Sequence, residues 1–565
     1  MRFLFFFLLF SGAVVAQTEY PKDYFSAPLD IPMQLSGNFG ELRPNHFHAG
    51  FDFRTLQREG LNVHAVADGY VSRIKISTFG NGRAIYITHP NGFTSVYCHL
   101  QKGTDAIESY IKKTHYKEKA FEIEMFLKPN ELVVKKGQTI ALSGNTGSSE
   151  GPHLHFEFRD SKTEKIINPM LFGFDKDIKD TKKPSVSAVY VYPVDGKTSV
   201  NQSKRPLLLN LSLQKDGSYL ANKVVANGKI GFGITAADYD NASGNRNGIY
   251  KLQSFLNGKP SFGYQLDTYS FDDMRYVNAL IDYRRYKTTS QRVQKLFMVN
   301  PYKLSFIETD DANGVVTVRP NLTSVYRIEV SDFMGNTTTI SIPISYDLSS
   351  TIVEKETVVS NYFVKVNKDN NFAKNNMSVF FPAGTFYEDF DMNFDVKDDI
   401  LYLHDETIPV HSNFTITIED NKYTDSQKEK VFLADISKSG RVGYNSTSRK
   451  DNVFTARVRS LGKYTLAMDT TAPSITIGRS IEGKWLSTQK TIQLSIHDGG
   501  SGIKSYNGYL NGNWILFEYD NKTRKITHDF SDGVVAEGAN DLKVVVTDNV
   551  GNSTIFETQF FRSQK

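Results

Sequence analysis

One cysteine, Cys98, stands in 565 residues, so no intramolecular disulfide can form and stability must come from packing. Proline is scarce at 18 and glycine reaches only 40, which excludes collagen-like and proline-rich disordered chains. Beyond the N-terminus, no apolar run approaches the roughly 20 residues that a membrane-spanning helix needs. Charge of one sign is also missing: 66 Lys+Arg against 62 Asp+Glu leave +4, too little to imply nucleic acid as a partner. What is present, 39% hydrophobic and 13% aromatic residues, describes folded domains, about four of them at roughly 150 residues each.

Residues 1–16 combine Arg2, a short apolar run and small residues, with Val14 and Ala16 suiting the −3 and −1 positions of a cleavage site. A secretory signal peptide is expected there, with export to the periplasm, surface or exterior of a bacterium and no membrane span in the mature chain. Cys98 is too distant to take a lipid after cleavage.

Two distant stretches share three markers in one order. Asp180-Thr-Lys-Lys-Pro184-Ser-Val answers to Asp469-Thr-Thr-Ala-Pro473-Ser-Ile, and Leu256-Asn-Gly258 answers to Leu510-Asn-Gly512. Val330-Ser-Asp-Phe-Met-Gly335-Asn then answers to Val546-Thr-Asp-Asn-Val-Gly551-Asn. This is an internal repeat, whose first copy is longer by an insertion that includes Phe271 to Val299 and reads as partly helical. Short alternating runs broken by Gly, Asn and Asp give both copies the pattern of antiparallel sandwiches. The expected organisation is mainly β: residues 30–176, then an immunoglobulin-like sandwich with insertion over 180–347, a divergent sandwich over 348–468, and a second immunoglobulin-like sandwich over 469–565. One helix interrupts the first domain, capped by Thr104 or Asp105 with Ile107, Tyr110 and Ile111 on one face.

Eight of the 12 histidines fall between residues 46 and 155. Side chains alternate along a strand, so His153, His155 and Glu157 share one face while Leu154, Phe156 and Phe158 share the other. If residues 48–53 are extended, His48 and Asp52 oppose Phe51 and Phe53, and by the same rule Tyr97 and His99 oppose Val96, Cys98 and Leu100. Imidazole and carboxylate donors suit zinc, and a catalytic zinc takes three protein ligands and leaves a position for water. Spacing does not choose between His153 and His155 as the third ligand. Cys98 beside His99 hints at a thiol peptidase, but a strand neighbour points the opposite way, so Cys98 reads as buried. Asp238-Tyr-Asp-Asn misses calcium-loop spacing because Ala242 occupies its fifth position. His64 and His89 read as structural.

Gly37-Asn-Phe-Gly40-Glu-Leu-Arg43, His48-Ala-Gly-Phe-Asp52, Tyr97-Cys-His99-Leu, and Ser143-Gly-Asn-Thr-Gly147 leading to Gly151-Pro-His-Leu-His-Phe-Glu157 resemble the zinc endopeptidases of family M23, the lysostaphin and LytM type. The resemblance covers residues 36 to 172. It implies an antiparallel β-sheet metallopeptidase domain in which His48, Asp52 and His155 hold Zn2+ and His99 and His153 act as catalysts. The implied substrate is the peptide part of peptidoglycan in the bacterial cell wall. An insertion after His99 and a short Pro44–Phe47 link depart from the family pattern. A rival expectation is a non-catalytic cell-wall or regulatory module that uses the fold as a binding platform, with a protein partner engaged through the sandwiches. The tail holds only His404, His411, His497 and His528, too scattered for a second site, so a fragment of residues 17–176 is expected to fold and hydrolyse alone.

Overall fold

The computed structural model describes residues 20–242, 244–302, 304–348, 353–354 and 360–563; the expected signal peptide, residues 1–16, lies outside them. The N-terminal domain is built on an antiparallel sheet. Its path runs Leu35–Gly37, Phe51–Arg54, His153–Asp160, Phe93–Cys98, Arg83–Thr88, Gly69–Ile76 and Ile123–Phe126. His153–Asp160 is central, and its His155 pairs with Asp52 on one side and Cys98 on the other.

The alternation of His153-Leu-His-Phe-Glu-Phe158 explains that placement. Leu154, Phe156 and Phe158 are fully buried against Phe51, Phe53 and Tyr97, while His153, His155 and Glu157 are left on the opposite face. Each such apolar side chain contributes about 1.5–3 kcal/mol by burial, so the apolar face fixes the register and the register fixes the histidines. The expected helix is Asp105–Glu118, with Thr104 at its N-cap and Ile107, Ile111 and His115 buried. The insertion over 271–299 holds the short helices Phe271–Tyr276, Val277–Leu280 and Tyr283–Thr289.

The core does not stop at residue 176. One hydrophobic cluster runs from Phe25 to Ile344. Ile166–Ile167 pairs with the central strand and also with Thr268–Tyr269, so the second domain extends the sheet of the first. Two further cores are separate. Each is shared by two antiparallel-dominated sheets facing one another, one over Val364–Tyr464 and one over Ile481–Phe560. The chain then returns to its start. Arg83 lies between Glu108 and Glu518, and Lys112 and Tyr116 on the helix bond Asp532. Tyr116 also meets Trp514 edge-on, with ring centroids 5.5 Å apart.

Candidate metal centre

Two neighbouring strands, carrying Asp52 and His155, and the loop that holds His48 bring the candidate ligands together. His48 Nε2 lies 3.0 Å from Asp52 Oδ1 and 3.1 Å from His155 Nδ1, and His155 Nδ1 lies 2.9 Å from Asp52 Oδ1. The three residues are buried, at 5%, 7% and 8% exposure, so these polar atoms are withheld from water.

The second nitrogen of each ring reveals its tautomer. His48 Nδ1 sits 2.7 Å from the Asn38 carbonyl, which can only accept, so Nδ1 carries the proton and Nε2 presents a lone pair. His155 Nε2 sits 3.0 Å from Glu157 Oε1, whose partner is Arg159, so in the neutral ring Nδ1 is the bare nitrogen. Asp52 Oδ2 accepts from Arg43 at 3.1 Å, leaving Oδ1 for the centre. With the His155 ring neutral three lone pairs converge, and tetrahedral zinc with about 2.0–2.1 Å bonds would set its ligand atoms only slightly further apart. The donor set fits a zinc ion.

Electrostatics agree. Burial would raise the Asp52 carboxyl, yet the imidazoles of His48, His153 and His155 hold it well below the usual carboxylate range. Burial opposes charge on His155, but hydrogen bonds to Asp52 and Glu157 outweigh it and lift the ring to about 9. A pocket that attracts a proton so strongly attracts a cation. Glu157, despite burial, is pulled to about 2 by Arg159 and His155.

His99 and His153 stand beside this trio. His99 Nδ1 donates to the Thr146 carbonyl at 2.9 Å and His153 Nδ1 to the Gly151 carbonyl at 2.8 Å, so each Nε2 is bare. Their ring centroids are 4.8 Å apart, and His153 Nε2 is 3.4 Å from Asp52 Oδ1. Burial first, then the rings of His155 and His153, push His99 down to about 3.

Strand alternation does not place His99. The strand ends at Cys98, and His99 follows with φ +60°, a left-handed conformation that turns its ring toward the site. Tyr97 belongs to the main core, while Cys98, fully buried, pairs with His155 and packs with Ala84, Tyr86 and Val96 on that face. His48 likewise precedes its strand, which starts at Phe51. His64 bonds Asp30 and His89 bonds Ser95, both away from the centre. Asn38 and Arg43 fall in the Gly37–Arg43 motif but were given no role from sequence, and Tyr269, whose hydroxyl donates to the His48 carbonyl, was not singled out.

This arrangement defines a metallopeptidase domain. Residues 46–115 and 112–169 match the model of peptidase family M23, and the N-terminal region is an M23 metallopeptidase domain. Residues 361–469 match a Zu5-like domain. The chain is 37% identical over 131 residues to an uncharacterized metalloprotease of Haemophilus influenzae, covering 23% of this chain and 21% of that protein. It is 32% identical over 143 residues to the peptidoglycan DD-endopeptidase ShyC of Vibrio cholerae, covering 24% and 27%. The chain thus spans about a fifth to a quarter of the length of these relatives. Among solved structures, the catalytic domain of lysostaphin from Staphylococcus simulans matches at 26% identity, TM-score 0.18, over 24% of this chain and 87% of that one.

Proposed function

We propose that the protein is an exported zinc-dependent endopeptidase that hydrolyses peptide cross-links of peptidoglycan. The observation that supports it most is the convergence of three candidate donor atoms, His48 Nε2, Asp52 Oδ1 and His155 Nδ1, flanked by the imidazoles of His99 and His153. His48, Asp52 and His155 are the metal ligands in this reading. Bound zinc supplies the positive charge that brings the pKa of water toward about 7 and polarises a scissile carbonyl. The Nε2 atoms of His99 and His153 are free to take the proton of the attacking water and pass it to the leaving amine, help typically worth about 10²–10⁴ in rate. Their Nδ1 bonds to backbone carbonyls hold both rings facing the centre.

The substrate class follows the matched relatives, whose names include peptidoglycan DD-endopeptidases. The two repeat copies, read as immunoglobulin-like sandwiches over 180–347 and 469–565, with the domain over 348–468 between them, position the peptidase on the wall and offer the surface for a protein partner. Purified peptidoglycan incubated with the full chain should release fragments whose masses correspond to a severed cross-link. Chelator should stop this and zinc restore it. Intact cross-links after incubation with the zinc-loaded protein would overturn the reading.

A further inference from the structure

Two of the three markers of the internal repeat, the first and the last, meet in space with one further aspartate. Asp180, just before strand Ser185–Pro193, Asp238, just after Gly228–Ala237, and Asp332, just after Thr323–Ser331, offer carboxylate oxygens within 4.8 Å of one another. In the second copy Asp469, Asp498 and Asp548 do the same. The supporting bonds repeat too. Asn336 Nδ2 donates to Asp332 Oδ2 at 2.6 Å and to the Asp180 carbonyl at 3.3 Å, and Asn552 Nδ2 donates to Asp548 Oδ2 at 2.7 Å and to the Asp469 carbonyl at 3.0 Å.

Grouped carboxylates alone say little, but Asp238, Asp332, Asp469 and Asp548 are buried, Asp180 and Asp498 partly so, and basic side chains do not pair with them. Among the described residues, none of the six has a Lys, Arg or His within 4.0 Å. Asp238 is 7% exposed and its Oδ1 has no hydrogen-bond partner. Asn247, 5% exposed and paired to Asp238 through the backbone, also has an unpartnered Oδ1. Both side chains line a cavity of about 40 Å³ together with Asp180 and Asp332, room for one ion. In the second copy Ser501, 2% exposed, leaves its Oγ unpartnered, and Asp498 leaves Oδ1 so. An unpaired buried charge costs several kcal/mol, and a buried acceptor needs a donor or a cation.

We infer that each repeat copy binds one calcium-class divalent cation, through Asp180, Asp238 and Asp332 in the first and Asp469, Asp498 and Asp548 in the second. The donors are all oxygen, which excludes a zinc preference, and they come from three separate segments, which suits the adaptable coordination of Ca2+ better than the strict octahedron of Mg2+. Ca–O bonds of about 2.4 Å allow donor atoms up to 4.8 Å apart across the ion. The consecutive loop spacing that Asp238-Tyr-Asp-Asn lacks is not required, because the fold gathers the ligands. The first site also touches the peptidase: Gly248, next to Asn247, exchanges two 2.7 Å bonds with Asn38, the residue that holds His48 Nδ1.

The test is calcium chloride titrated calorimetrically into the full-length, chelator-treated protein, with urea unfolding in parallel. Two ions per chain are expected. Asp238→Asn should lose one, Asp548→Asn the other, the double variant both, and His48→Ala neither. Relief of repulsion gives a second readout: in chelator Asp238→Asn should resist urea better than the wild type, and in calcium the wild type should overtake it. Aspartates that serve as structural acceptors only would weaken the variant under both conditions. No calcium bound by the wild type, two ions kept by the double variant, or stability of Asp238→Asn below wild type in chelator would each overturn the inference.

Discussion

The phenol of Tyr269 donates a hydrogen bond to the backbone carbonyl of His48, a residue 221 positions earlier and the first member of the candidate metal trio. Gly40 N donates to the same carbonyl at 2.8 Å. The loop that carries His48 is therefore held from both sides, once by its own domain and once by the next.

Replacing Tyr269 by Phe keeps the buried ring among Phe39, Phe47 and Phe306 and removes only the hydroxyl. Support of this indirect kind typically tunes metal affinity or activity about 10- to 100-fold. Chelator competition should show zinc held about tenfold more weakly by Tyr269→Phe, with the unfolding midpoint nearly unchanged. Unaltered zinc affinity would show that Gly40 suffices.

Ligands and catalysts should separate by metal content. His48→Ala, Asp52→Ala and His155→Ala should lose zinc and turnover together, because two remaining donors hold the ion poorly. His99→Ala and His153→Ala should retain zinc while turnover falls about 100-fold or more. Elemental analysis beside a hydrolysis assay reads the division. Metal lost from His153→Ala but kept by His155→Ala would reverse the pair.

Gly50 has no room for a side chain. A Cβ there would lie 2.0 Å from the Phe156 carbonyl oxygen and 2.8 Å from its carbon, backbone atoms of the central strand that cannot swing aside. Gly50→Ala should cost about 3 kcal/mol or more and part Asp52 from His155, seen as a lowered urea midpoint with zinc loss.

The fold legible from sequence was the part written in short-range periodicity. The alternation of Leu154, Phe156 and Phe158 with His153, His155 and Glu157 marked the central strand, and Ile107 and Ile111 marked the helix. His99 was placed on the right face for the wrong reason, since alternation would have turned it toward the core and a positive φ turns it back. Asn38 and Arg43 stand in a motif that names no role for them, and Tyr269 carries no local signal, because a single hydrogen bond to a distant backbone atom leaves no period to read. Asp180, Asp332, Asp469 and Asp548 were visible as repeat markers, but nothing in the linear order says that they meet or that Asp238 and Asp498 join them.

His89 should govern part of the acid limb of stability. It is 2% exposed, bonds the Asp68 carbonyl through Nδ1 and lies 2.8 Å from Ser95 Oγ, and burial lowers it to about 4. The unfolded chain takes its proton near pH 6.5, so stability is full above that value and declines as pH falls toward 4. His89→Gln should flatten this decline by up to about 3 kcal/mol in urea titrations between pH 7 and 4. An unchanged slope would show that the loss arises elsewhere.

The shared core revises what a short fragment should do. Residues 20–178 alone would expose Phe39, Phe47 and Ile166–Ile167, which the second domain covers. A chain of residues 20–348 should unfold cooperatively, whereas 20–178 should lose about 3 kcal/mol or more, a urea shift of at least about 1 M. Equal midpoints for the two would show that the first domain is self-sufficient.

The return of the last domain to the helix Asp105–Glu118 rests on a handful of polar pairs around Arg83, Lys112 and Tyr116. Pairs of this kind are individually worth at most about 1 kcal/mol at a surface and are screened by salt, so as two free molecules these faces would hardly associate. Within one chain the intervening domains act as a leash, and a leash supplies an effective concentration in the millimolar range without adding a contact. The closure is therefore a property of connectivity: severing the chain beyond the shared core, where one domain passes to the next, would let the two faces drift apart, although every residue at the junction remained in place.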